Sequence, residues 1–198
     1  MGLLLQRFLE SDQRPAWNAF CCWWRGVLRY GRANGSNLHC RDDIMDKSKI
    51  PTGQRAALGL LADDHRAVKK LFKQFQDAKD DADKQSIAAE TCRQLTVHAQ
   101  IEEEIFYPAL RGVSDKMDDM LDEAKVEHGV AKDLIAEIES GEPEMLEARY
   151  TVLSEYVGHH VEEEENELFP AVIQAKVDLA DVAQQLEARK TELLGEHA

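Results

Sequence analysis

Apolar side chains recur every third or fourth residue through most of this chain, and the recurrence predicts helices. Leu58, Leu61, His65, Val68, Phe72 and Phe75 share one helical face. Ala88, Thr91, Leu95, His98, Glu102 and Ile105 repeat the spacing, as do Leu121, Ala124, His128, Ala131, Ile135 and Ile138. Leu153, Val157, His160, Glu164 and Leu168 make a fourth stripe. Each stripe carries His or Glu where the period asks for a core residue.

Punctuation separates the stripes. Asp80-Asp81 divides the first helix from the second, and Pro108 with Arg111-Gly112 closes the second. Ser114 is placed to cap the third, Ser140-Gly141 ends it, and Pro143 suits the first turn of the fourth. Connections this short set successive helices antiparallel. The expected fold class is therefore all-α, an up-down antiparallel four-helix bundle with its core in about residues 55–175. A further amphipathic segment, 179–194, is expected to pack its Leu179, Val182, Leu186 and Leu193 on the outside of the bundle or across its end.

The stripes are two copies of one pattern. His65, His98, Glu102 and Pro108 form the first copy; His128, His160, Glu164 and Pro170 form the second. The lone His precedes the paired one by 33 residues in one copy and 32 in the other. His to Glu is four residues and Glu to Pro is six in both. A His and a Glu four apart project from the same side of a helix. Antiparallel packing then brings four imidazoles and two carboxylates to one level of the core. That set suits a pair of iron, manganese or zinc ions, and the lack of thiolates disfavours a structural zinc site. A single His in an apolar stripe is ordinarily a core residue. Six such groups without metal would bury unpaired charge at several kcal/mol per ion.

The acids around these positions read differently. Glu103, Glu104, Glu162 and Glu165 are turned away from the inward direction and belong to a solvated face, while Glu163 stands within reach of the interior. His159 is expected at the surface or just behind the site, and Cys92 as a small core residue.

Composition narrows the partners. Acidic residues outnumber basic ones by 38 to 24, a net charge of −14, which argues against nucleic acid and anionic membranes. No apolar run approaches the ~20 residues of a membrane span. Cys21, Cys22, Cys40 and Cys92 form no Cys-x-x-Cys pair, which favours a reducing, cytoplasmic setting. Residues 1–44 differ from the rest, with all three Trp, six Arg, no Lys and a local charge of +2. The break at Met45 divides an atypical extension (1–44) from the domain (45–198). The extension is read as disordered, as a docking or targeting segment, or as a start-site artefact with the functional start at Met45.

Over about residues 55–175 the chain resembles the hemerythrin-like family and its HHE cation-binding domains. The resemblance rests on His98-x-x-x-Glu-Glu-Glu-Ile-Phe-Tyr-Pro and His159-His160-x-x-x-Glu-Glu-Asn-Glu-Leu-Phe-Pro. It implies a carboxylate-bridged di-iron centre held by His65, His98, Glu102, His128, His160 and Glu164. It also implies a protein that binds or senses dioxygen, peroxide or nitric oxide, or buffers iron, in a stress response. Two other classes stand beside that one: a di-iron enzyme with catalase- or peroxidase-like activity, and a metal-switched regulatory module. The oxygen carriers of the family have a further His one turn after the third-helix His, where this chain has Lys132, and Lys69 is its mate in the first copy. They also end in His-x4-Asp, against His160-x3-Glu164 here. A nearly two-fold symmetric site with two His per metal and more open positions is expected, which disfavours simple reversible oxygen carriage.

Overall fold

A computed structural model describes residues 47–196. The extension 1–44, its cysteines and His39, and His197 at the other end lie outside the described residues. Helix α1 (Thr52–Asp77) is followed by α2 (Asp81–Ile101), which runs through a π turn (Glu102–Phe106) into the short α3 (Tyr107–Leu110). Helix α4 (Asp115–Glu139) leads to α5 (Leu146–Glu163), a second π turn (Glu164–Leu168) and α6 (Phe169–Ala175). Helix α7 (Ala180–Glu196) completes an all-α architecture with no strand among the described residues.

The boundaries have local causes. Asp80 caps α2 by accepting from the Ala82 and Asp83 amides, and Ser114 caps α4 by accepting from Met117. Gly112 and Gly141 take positive φ (82° and 81°) in the two turns, a region that costs most other residues energy. α1 packs on α2 and α4 on α5; cross-contacts α2–α4 and α1–α5 close the four-helix ring. The amphipathic 179–194 segment forms α7, which lies along the outside of the bundle against α1 and α2 rather than across its end.

The spacing of the stripes does not foretell the π turns. In each, an amide bonds five residues back, Tyr107 to Glu102 and Phe169 to Glu164. A Pro follows in the next turn (Pro108, Pro170), whose missing N–H suits a break in the four-residue ladder. The extra residue turns the inward face by one position. Ile105, expected in the core, is only partly buried, and Phe106 takes its place at 0% exposure.

Two apolar clusters fill the bundle. One contains Leu58, Leu61, Phe106, Leu121, Phe169 and Leu186. The other contains Val68, Phe72, Cys92, Leu95, Ile135 and Leu153. On every helix of the ring the His and Glu members of the stripe fall between them. The result is a polar belt enclosed by a hydrophobic seal on either side.

Candidate metal centre

All six His and Glu residues of the stripes are buried, between 0% exposed for Glu102 and 6% for His160. His65 Nε2 lies 3.2 Å from His98 Nε2, and His128 Nε2 lies 3.1 Å from His160 Nε2. The two carboxylates span these pairs. Glu102 Oε2 is 3.2 Å from His98 Nε2 and 3.4 Å from His128 Nε2. Glu164 Oε2 is 3.2 Å from His65 Nε2 and 3.6 Å from His160 Nε2. Donor atoms of His65, His98, Glu102 and Glu164 converge within 4.8 Å of one another, and so do those of Glu102, His128 and His160.

A second layer of carboxylates faces the other ring nitrogens. His65 Nδ1 bonds Glu165 (2.9 Å), His128 Nδ1 bonds Glu103 (3.1 Å) and His160 Nδ1 bonds Glu127 (2.7 Å). His98 Nδ1 stands 3.5 Å from Asp64, facing it without an aligned hydrogen bond. A proton held at Nδ1 leaves the Nε2 lone pair free to point into the belt. Lys132 in turn pairs with Glu103 (2.6 Å) and Lys69 with Glu165 (3.6 Å). Glu165 and Glu103 are thus supports of the site, which corrects the expectation that they lie on a solvated face. An α-helical projection turns them outward, whereas the helix ring brings each within reach of an imidazole on a neighbouring helix. Glu163 does not turn inward; it pairs with the exposed His159 at 3.2 Å.

These supports have a signal in the repeat. Asp64 and Glu127 each precede the lone His, Glu103 and Glu165 each follow the stripe Glu, and Lys69 and Lys132 each follow the lone His by four. The repeat also departs from itself beside the ligands. Tyr107 and Phe169 occupy equivalent positions before Pro108 and Pro170. Phe169 stacks on His65, and Tyr107 stacks on His128 while its hydroxyl donates to Glu164 Oε1 at 2.9 Å. The same hydroxyl is 3.4 Å from Glu102 and from His128 Nε2.

The electrostatics match this crowding. Burial disfavours charged His65, but Glu164 and Glu165 outweigh it and raise its pKa to about 9. His160 is likewise lifted to about 9, against burial, by Glu164 and Glu127. Glu164 is held far below the ordinary carboxylate range, because His160, His65 and His98 overcome its burial. Burial and then the Glu102 and Glu164 charges push the Tyr107 phenol well above its usual value. Glu102 Oε1 and Glu164 Oε2 are buried and accept no hydrogen bond from the described residues. Oxygens and imidazole nitrogens that face one another with too few protons between them are a donor set completed by cations. The residues fit a pair of metal ions.

The family model for the hemerythrin HHE cation-binding domain matches residues 56–172. The chain belongs to the hemerythrin family. Its His/Glu clusters form a buried metal-ligand arrangement of the hemerythrin di-iron kind. A DNA nickase of Nostoc sp. is 32% identical over 111 residues, covering 55% of this chain and 31% of that protein. The chain therefore spans about a third of that relative's length. No solved structure is significantly similar. Among the described residues no helix is long and apolar enough to cross a membrane.

Proposed function

We propose that this hemerythrin-family chain is a di-iron protein that binds or senses a small oxidant (dioxygen, peroxide or nitric oxide), or buffers iron. His65, His98, Glu102, His128, His160 and Glu164 are the ligands, and Tyr107 is an additional group beside them. The observation that carries the reading is the convergence of four Nε2 atoms and two buried carboxylates, with every Nδ1 facing a second carboxylate. Bound iron supplies one-electron redox chemistry and coordination positions that the protein leaves open.

The chain's own part is to set ligand direction, charge and access. Glu165, Glu103 and Glu127 orient the rings of His65, His128 and His160, and Asp64 faces that of His98. Glu102 and Glu164 offset the metal charge and span both imidazole pairs. Lys132, in the place of the carriers' further His, and its repeat mate Lys69 are engaged by Glu103 and Glu165, which leaves two His on each side of the site. An apolar cleft of about 30 Å³, lined in part by Leu95, Ala99, Ile135 and Val157, reaches His128 and His160. Its size and lining suit a diatomic gas or peroxide better than an organic substrate.

A peroxide-consuming enzyme is the second reading, favoured by the Tyr107 hydroxyl held against the ligand cluster. The nicking activity of the Nostoc relative is not carried over, since this chain spans 31% of that protein and its net charge of −14 disfavours phosphate binding. The cysteine content supports a cytoplasmic setting. The test is to load the protein with Fe(II) anaerobically and record optical spectra on adding dioxygen, nitric oxide or peroxide. Saturable spectral changes lost in His65→Ala/His128→Ala support binding. Sustained dioxygen release from peroxide moves the assignment to the enzyme. No spectral response to any of the three sinks both.

A further inference from the structure

A site this deeply buried needs a way in for its ions, and the two halves of the repeat treat their outer faces differently. On the α1–α2 face, Leu60, Ile101 and Ile105 pack in the apolar cluster that α7 joins through Leu186 and Leu193. Helix α7 also brings Lys190 to Asp64 and Arg189 to Glu104, so the acids of that face are matched by cations. At the equivalent positions of the second copy the chain has Glu123, Glu163 and Glu167. Together with Glu127, the counterpart of Asp64, they line a cleft with about 50 Å³ of open space. Among the described residues no Lys or Arg lines it. The floor is formed by His160 and by Glu164, whose buried Oε2 accepts no hydrogen bond from the described residues. At the mouth, donor atoms of Glu127, His159 and Glu163 lie within 4.8 Å of one another.

Resting on the di-iron reading, we propose that this cleft is the loading mouth of the metal centre. A divalent cation lands at Glu163, His159 and Glu127 and is handed to His160 and Glu164 on the floor. The apolar clusters on either side of the belt offer no comparable path, since a charged ion crossing them loses hydration without replacement ligands. The uncompensated carboxylates concentrate cations at the mouth, an effect that speeds association and weakens with salt.

The test uses the full chain, stripped of metal with a chelator and mixed with cobalt(II), a redox-silent stand-in for Fe(II). Stopped-flow absorbance follows uptake, and metal analysis gives the endpoint. A Glu123→Gln/Glu163→Gln/Glu167→Gln variant spares the six proposed ligands and their supports. It should reach the wild-type endpoint about tenfold more slowly, with a flatter salt dependence. Exchanging three exposed acids elsewhere (Glu139, Glu144 and Glu187) for Gln makes the same change in net charge and should leave the rate within about twofold. Uptake by the cleft variant at the wild-type rate, or a slowing equal to that of the control, overturns the proposal. So does a reduced endpoint, which would make these acids part of the site itself. A wild-type endpoint below two ions per chain counts instead against the dinuclear reading.

Discussion

Tyr107→Phe separates hydrogen bonding at the site from packing around it. The ring of Tyr107 is buried against His128, and its hydroxyl donates to Glu164 at 2.9 Å. Phe169 shows that a phenyl ring fits the equivalent place in the other copy, so the substitution removes one hydroxyl and little volume. A hydrogen bond to a charged acceptor is worth about 1.5–3 kcal/mol. The metal-free variant should therefore be about 2 kcal/mol less stable, lowering its Tm by roughly 4–8 °C for a domain of this size. With metal bound, Glu164 shares its charge with the ions and the same bond matters less, so the loss should fall below about 1 kcal/mol. Urea and thermal unfolding of metal-free and Mn(II)-loaded protein measure both quantities. An equal loss in the two states, or none in the metal-free state, rules out this role for the hydroxyl.

Glu165→Gln and Glu127→Gln weaken the orientation of His65 and His160, and each should cost about 10–100-fold in metal affinity by competition with a chelator. Lys69→Met, which touches the site only through Glu165, should cost much less, and the reverse order would contradict the layered arrangement. The metal-free protein should also lose stability with rising pH. His65 and His160 have folded pKa values of about 9 against an ordinary 6.5, so their contribution is complete below pH 6.5 and gone above 9. Metal-loaded protein, with neutral imidazoles, should lack that decline, and a metal-free protein that gains stability over the interval would contradict the assignment. Leu153→Ala, at a residue with no exposed surface, should cost about 2–5 kcal/mol in urea unfolding while the metal stoichiometry stays the same.

Much of this arrangement is legible in the residues. The four stripes mark the helices because each must bury one face, and the polar positions within them mark the belt because burial there needs a partner. The π turns are not legible. A helical projection assumes a constant 3.6-residue period, so it assigns Ile105 to the core in place of Phe106. The supporting carboxylates escape it for a related reason. Whether Glu165 faces solvent depends on which helix lies beside it, and its partner His65 is 100 residues away. Comparing the copies position by position reveals both the supports and the exceptions. Asp64 matches Glu127 and Glu103 matches Glu165, whereas Tyr107 meets Phe169 and three apolar residues meet Glu123, Glu163 and Glu167. The covering of one face by α7 alone needs the fold, since the amphipathic stripe of that helix shows what it buries but not where it docks.

Metal analysis of protein purified from its native host decides whether the belt holds a dinuclear iron centre. The expected content is two iron ions per chain, held by the two His/Glu groups that share Glu102. His98→Ala and His160→Ala, one from each pair, should each lower that number. A wild-type content near zero, or a content unchanged in both variants, would contradict it.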